Sequence, residues 1–256
     1  MVVGRIKHRL ERPRPYRVIH LSADKLTGAR SGRVLFENLH FSTLPGHALA
    51  IIGPNGVGKS SLLRLIGGLL SPETGQIDLQ QGNADQGMRL LARSTPDDGA
   101  GLAASCHYLG HRDALKPALT PYELLEFWVQ FSGPAPQTLN PQAPKTQAPK
   151  TSSGSPSSHA DLITHVLRQT GLAHAAHFPA LMLSAGQRRR LGLARLILTH
   201  RPIWLLDEPA TALDTQGQAL LWALCQSHLD HNGVLLVATH SPLPLPTTVL
   251  DLGARP

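Results

Sequence analysis

GPNGVGKSS, at residues 53–61, fits the G-x-x-x-x-G-K-[ST] pattern of loops that bind nucleotide phosphates. In such a loop the backbone N–H groups point at the phosphate oxygens, and glycine is needed where φ is positive or a Cβ atom would touch the ligand. Lys59 is expected to place its charge on the β- and γ-phosphates, and the Ser60 hydroxyl to bind Mg²⁺. The predicted nucleotide-binding residues are Gly53, Pro54, Asn55, Gly56, Val57, Gly58, Lys59, Ser60 and Ser61.

The sequence on both sides of this loop supplies the elements that a phosphate loop requires. The apolar run Ala48–Ile52 predicts a buried strand before it, and helical apolar spacing over residues 59–70 predicts a helix after it. Strand-like segments over residues 18–52, and two more at 203–206 and 234–239, alternate with helical patterns. The alternative for the loop, a chance glycine-rich turn, would lack this flanking strand and helix. The alternation of strands and helices predicts an α/β fold.

A second segment, IWLLDE at residues 203–208, predicts a buried parallel strand that ends in two carboxylates. Ligands bind at the C-terminal ends of the strands in open α/β sheets. Asp207 is expected to hold Mg²⁺, directly or through water, and Glu208 to act as the general base toward the attacking water. The alternative is a strand that ends in a solvated acidic turn, and the phosphate loop in the same chain counts against it.

The charge of the chain is concentrated at its N-terminal end. The 256 residues are 41% hydrophobic and carry a net charge of +7. Residues 1–33 contain nine basic and two acidic side chains, which account for the whole of that charge. We therefore predict a basic flexible arm over residues 1–17. No nucleic-acid partner is expected, because the neutral remainder offers no footprint for a phosphate backbone.

Residues 132–158, SGPAPQTLNPQAPKTQAPKTSSGSPSS, differ in composition from the rest of the chain. The tract is rich in Pro, Ser, Thr and Gln, and QAPKT at residues 142–146 is repeated at residues 147–151. Such a sequence buries too little apolar area to offset the entropy lost on ordering. The tract is therefore expected to be a disordered surface insertion.

Three further motifs make the chain resemble the ATPases of ABC transporters. LSAGQ at Leu183–Gln187 resembles the LSGGQ signature and lies 20 residues before the strand that begins at Ile203. TALD at Thr211–Asp214 resembles the D-loop, and Ala238–His240 resembles the strand that carries the switch histidine. The resemblance covers residues 18–253. It implies a P-loop NTPase core of the ABC type with an antiparallel β subdomain and a helical signature subdomain.

The resemblance also implies how ATP and Mg²⁺ are handled. Two copies would form a head-to-tail homodimer in which the signature residues of one copy face the ATP bound by the other: Ser184, Ala185, Gly186 and Gln187. Asp214 would belong to the D-loop, and His240 would contact the γ-phosphate and orient the water beside Glu208. Ser184 also stands where a helix N-cap would be. The basic run Arg188–Arg190 after it is predicted to be a solvated face.

Two positions depart from the general ABC pattern. The Q-loop glutamine is replaced by His111, in the segment HYLGHRD at residues 107–113. The aromatic residue expected to stack on adenine is replaced by Arg30. A guanidinium plane can lie on a base, but the sequence alone does not favour that role for Arg30.

The His111 departure, together with LSAGQRRRLGLARL and WLLDEPATALD, resembles the haem-exporter ATPases of cytochrome c maturation. This implies an ATPase at the cytoplasmic face of the cell inner membrane, peripheral to it, with integral-membrane permease subunits of that system as partners. Two alternatives stay open: the ATPase of an ABC transporter for another substrate, and a soluble ABC ATPase acting on nucleic acid or ribosomes. The single phosphate loop and the neutral body count against the second.

Overall fold

The computed structural model describes residues 18–83, 87–98, 101–111, 113–132 and 158–253. The predicted basic arm at residues 1–17 lies outside the described residues, as does the predicted insertion except for its two end residues. In chain order the elements are β1 (Val18–Arg30), β2 (Arg33–Ser42), β3 (Ala48–Ile52), α1 (Lys59–Ile66), β4 (Thr74–Asn83), β5 (Gly87–Ser94), β6 (Cys106–Leu109), α2 (Pro121–Ser132), α3 (His159–Gln169), α4 (Ala185–Leu198), β7 (Ile203–Asp207), α5 (Thr215–Asp230), β8 (Val234–Ala238) and β9 (Thr247–Asp251).

Four strands form an antiparallel sheet in the order β2-β1-β4-β5. Alternate residues of β1, including Ile19, Leu21 and Ala23, are buried, as period-two alternation requires when one face of a sheet covers a core. Strand β1 pairs with β2 on one side and with β4 on the other. This sheet is the antiparallel β subdomain that the sequence predicts.

The second sheet is parallel, in the order β6-β7-β8-β3-β9. Strands β7 and β8 are buried along their whole length, which explains why IWLL and VLLVA are continuous apolar runs rather than alternating ones. Because all five strands run in one direction, their carboxyl ends meet at a single edge. The phosphate loop follows β3, Asp207 ends β7, and His240 lies just beyond β8 at this edge.

Helices α2, α3 and α4 pack around a separate apolar core that includes Leu125, Ile163, Val166 and Leu191. This is the predicted helical subdomain, and the chain between α2 and α3 holds the predicted insertion. Helix α1 ends at Ile66, four residues before the predicted end, because two glycines follow it. Among the described residues, no helix is both long and apolar enough to cross a membrane.

Candidate functional site

The phosphate loop is shaped by glycines that no other residue can replace without strain. Gly53 and Gly58 have φ angles of 133° and 121°, which side chains with a Cβ atom rarely allow. A Cβ atom on Gly58 would also lie 3.1 Å from the Leu35 and Phe36 side chains. Helix α1 starts directly after Gly58 with no side-chain cap. The N–H groups of its first turn therefore point into the loop, where an anion is favoured.

Lys59 is held inside the curve of this loop. Its side chain is largely buried, with the residue 8% exposed, and Nζ donates hydrogen bonds to the carbonyl oxygens of Gly53 at 2.7 Å and Pro54 at 3.0 Å. A buried ammonium is tolerated only when it is paired or hydrogen-bonded. The loop therefore fixes a positive charge at the position where the sequence predicts that phosphates bind.

Asp207 and Ser60 meet across the site although they are far apart in the chain. The Ser60 hydroxyl donates to Oδ1 of Asp207 at 3.0 Å. The Tyr108 hydroxyl donates to Oδ2 at 3.4 Å and accepts from Nε of Arg64 at 3.3 Å. Burial raises the pKa of Tyr108, so its hydroxyl stays protonated as a donor. Mg²⁺ prefers oxygen ligands and usually takes one or two from the protein, so the pair Ser60–Asp207 fits that ion.

Glu208 does not continue the strand as adjacent residues of a strand would. The sequence predicts that both carboxylates emerge at the C-terminal end of this strand; in the structure β7 ends at Asp207, and Glu208, the next residue, has a φ of 47°. A non-glycine residue in this left-handed region costs roughly 1–3 kcal/mol. Its Oε1 atom is buried, has no hydrogen-bond partner among the described residues, and lies 3.6 Å from Nε2 of His240. The left-handed backbone at Glu208 thus directs the carboxylate toward His240.

His240 is positioned by the two strands that flank it. The Thr239 N–H donates to the Ile51 carbonyl oxygen at 3.2 Å, which ties the end of β8 to β3. The Ser241 N–H donates to the Thr239 hydroxyl at 3.0 Å and closes a tight turn around His240. The imidazole is half-exposed, so it faces solvent on one side and Glu208 on the other.

A cleft of about 660 Å³ brings the predicted groups together. Its lining includes the predicted loop residues Asn55, Gly56, Gly58, Lys59, Ser60 and Ser61, the carboxylates Asp207 and Glu208, and the histidines His111 and His240. Arg30 lies on the wall of the same cleft. The described residues therefore gather the predicted phosphate loop, the candidate metal-binding pair Ser60–Asp207 and the candidate base Glu208 in one cavity, whose size suits a drug-sized ligand.

The predicted signature residues lie elsewhere on the chain. None of the residues 184–187, all of them within the described part, lines this cleft. Ser184 is the N-cap of α4, as predicted: its Oγ accepts from the Gln187 N–H at 3.1 Å, and Oε1 of Gln187 accepts from the Ser184 N–H at 2.8 Å. Asp214 is the N-cap of α5, where its carboxylate accepts from the Gly217 N–H at 2.8 Å.

Two residues that contact the site, Tyr108 and Arg189, are not predicted by the sequence. A tyrosine on a strand carries no signal of the side chain it will contact. Arg189 was placed on a solvated basic face, and this prediction is wrong: the residue is 2% exposed. Its helical spacing to the apolar Leu193 and Leu196 is the signal that would have placed it on the inner face of α4.

More than half of the sequence matches a protein family, the ABC transporter family, over residues 36–211. This span contains the predicted phosphate loop, the signature and the two carboxylates. The chain therefore belongs to the ABC transporter ATPases, and it is an ATP-hydrolysing subunit of that class.

Within this class, its relatives include proteins of cytochrome c biogenesis. It is 45% identical over 236 residues to the cytochrome c biogenesis ATP-binding export protein CcmA of Rhodopseudomonas palustris strain HaA2, covering 92% of this chain and 99% of the relative. The protein of the same name from Bradyrhizobium diazoefficiens is 43% identical, with 92% and 98% covered. The predicted resemblance to this group is confirmed.

Solved structures show the same fold at lower identity. A putative ABC transporter ATP-binding protein from Pyrococcus furiosus has a TM-score of 0.64 at 18% identity, covering 91% of this chain and 97% of that chain. The dimeric post-hydrolysis structure of the ATP-binding cassette MJ0796, bound to ADP and Pi, has a TM-score of 0.65 at 20% identity, covering 91% and 95%. The predicted ABC-type architecture is confirmed.

Proposed function

We propose that this chain is the ATPase subunit that energises haem export, or the release of a haem-loaded chaperone, in cytochrome c maturation. The observation that carries the proposal is 45% identity over nearly the whole length of a cytochrome c biogenesis export protein. The replacement of the Q-loop glutamine by His111 supports it, because that departure is what sets the resemblance apart from ABC ATPases in general.

The proposed chemistry is in-line attack of water on the γ-phosphate of ATP. Glu208 accepts the proton of the water, and His240, 3.6 Å from its carboxylate, contacts the γ-phosphate and orients that water. Lys59 neutralises charge on the β- and γ-phosphates from within the loop. Mg²⁺, when held by Ser60 and Asp207, supplies further positive charge next to the phosphates.

The proposed working form is a homodimer on integral-membrane partners. Residues 184–187 of one copy face the nucleotide of the other, with Asp214 at the shared interface, which agrees with their position outside the cleft of their own copy. The partners are permease subunits of the cytochrome c maturation system at the cytoplasmic face of the cell inner membrane. We expect no nucleic-acid partner, because the chain from residue 34 onward carries no net charge.

Purification of the tagged chain from native membranes tests this proposal. We expect integral-membrane subunits of cytochrome c maturation to co-purify, and Lys59→Ala to retain them, because membrane docking does not need the phosphate loop. In cells lacking the native gene, the wild-type chain should restore c-type cytochromes and Lys59→Ala should not. Recovery of permeases for another substrate, or full restoration by Lys59→Ala, would contradict the proposal.

A further inference from the structure

The middle arginine of the run Arg188–Arg190 is buried beneath the site. Arg189 lies in the second turn of α4, and its side chain is 3% exposed. A buried guanidinium is stable only when its donors are satisfied. The atoms that accept hydrogen bonds from the guanidinium therefore indicate the role of Arg189 in the site.

Arg189 donates to main-chain oxygens of two segments that carry site residues. Nε donates to the Pro209 carbonyl at 3.1 Å, and Nη2 donates to the carbonyls of Asp207 at 3.0 Å and Glu208 at 2.9 Å. Nη1 donates to the Gly110 carbonyl at 2.7 Å. Four carbonyl oxygens thus converge on one planar fork, a geometry that arginine offers and lysine does not.

These carbonyls belong to the turn in which Glu208 has left-handed backbone and to the loop that contains His111. Glu208 has a φ of 47°, and its Oε1 atom has no hydrogen-bond partner among the described residues. The turn therefore contributes to the direction of this carboxylate, together with the contact of Oε1 with Nε2 of His240 at 3.6 Å. Gly110 immediately precedes His111, which lines the same cleft.

We propose that Arg189 is a positioning residue that holds the Glu208 turn in its catalytic geometry and joins it to the signature helix and to the loop before His111. Helix α4 begins with Ser184–Gln187, so a shift of these residues is transmitted through the guanidinium to Glu208. A carboxylate oxygen of Asp113 lies 3.4 Å from Nη1 and helps to balance the buried charge. This inference rests on the proposed role of Glu208 as the base.

Arg189→Lys tests the inference, with Arg188→Lys as the matched control. Lysine keeps the charge but cannot span four carbonyls, whereas Arg188 is partly exposed and donates to the Leu183 carbonyl, away from the Glu208 turn. A displacement of about 1 Å at a reacting group can cost about 100-fold in rate. We expect Arg189→Lys to lower kcat for ATP hydrolysis by about 10- to 100-fold and to change KM for MgATP by less than about threefold. Arg188→Lys should stay within about twofold of wild type. An unchanged kcat for Arg189→Lys would overturn the inference.

A cycle with Glu208→Gln separates positioning from a general loss of structure. If Arg189 acts through Glu208, adding Arg189→Lys to Glu208→Gln should lower the remaining single-turnover rate by less than about threefold. A fall as large as in the wild-type background would show that Arg189 acts elsewhere and would overturn the inference. Full hydrolysis by Glu208→Gln alone would instead refute the proposed base.

Arg189→Gln is the second variant if Arg189→Lys fails to fold. Glutamine has two side-chain N–H donors and no charge, so it cannot satisfy the four carbonyl oxygens that contact Arg189. The inference then requires kcat to fall by at least about threefold, with KM for MgATP changed by less than about threefold. Equal kcat for Arg189→Gln and wild type would refute the inference.

Discussion

Glu208→Gln is the substitution that most directly tests the chemistry of the cleft. Glutamine keeps the length and shape of the side chain, and the backbone at φ 47° is unchanged because the main-chain bonds around it do not involve the carboxylate. Only the basic oxygen is lost. General-base catalysis contributes about 100- to 10,000-fold. This corresponds to about 3–5 kcal/mol of barrier, since each tenfold in rate is about 1.4 kcal/mol.

ATP binding should survive this change, because Lys59, the glycines of the loop and Ser60 remain. We therefore expect Glu208→Gln to bind MgATP, to hydrolyse it about 100- to 10,000-fold more slowly, and to accumulate as an ATP-bound dimer. Asp207→Asn is the comparison: it weakens the Ser60–Asp207 pair that fits Mg²⁺, so dimer formation and turnover should both fall. Size-exclusion chromatography with MgATP, repeated in the membrane complex, distinguishes the two. Wild-type turnover by Glu208→Gln, or equal dimer formation by both variants, would refute the assignment.

Three further changes test separate parts of the structure. Lys59→Ala removes the charge held inside the loop, so ATP binding should weaken strongly and ATPase activity should vanish; near-normal hydrolysis would contradict the phosphate-loop assignment. Tyr108→Phe removes one hydrogen bond to Asp207 and should raise the Mg²⁺ concentration for half-maximal activity by about two- to tenfold, measured by Mg²⁺ titration. Burial lowers the pKa of both His107 and His228 to about 3. Below pH ~6.5 these two histidines are therefore protonated in the unfolded chain but not in the native state. The melting temperature should fall as the pH drops from ~6.5, and it should fall less steeply in His107→Gln.

The order of strands and helices was predictable from the sequence because local patterns of apolar residues and contiguous motifs indicate it. Strands β7 and β8 are continuous apolar runs, and the phosphate loop is a contiguous motif between a strand and a helix. The positions of Lys59, Ser60, Asp207 and His240 at the cleft were predictable for the same reason, because each follows or ends a recognisable element. The parallel sheet then brings these separate positions to one edge.

Features that depend on tertiary contacts were not predictable. The left-handed turn at Glu208 has no sequence signal, because a glutamate before a proline is expected in extended backbone. The burial of Arg189 was missed since three consecutive arginines suggest a solvated face, whereas each points in a different direction on a helix. Tyr108 became a partner of Asp207 only through the pairing of β6 with β7.

The cap at Ser184 has a consequence for how two copies recognise each other. A serine hydroxyl has one proton to give and two lone pairs, and the bond from the Gln187 N–H uses only a lone pair. The proton is left available for an anion, and the bond restricts the rotamer from which it is offered. In the proposed dimer, the same atom therefore starts a helix in one chain and offers a proton to the nucleotide of the other. In that proposed dimer, a copy in which α4 has not yet formed would present the proton without a fixed direction, so assembly would require a folded helical subdomain.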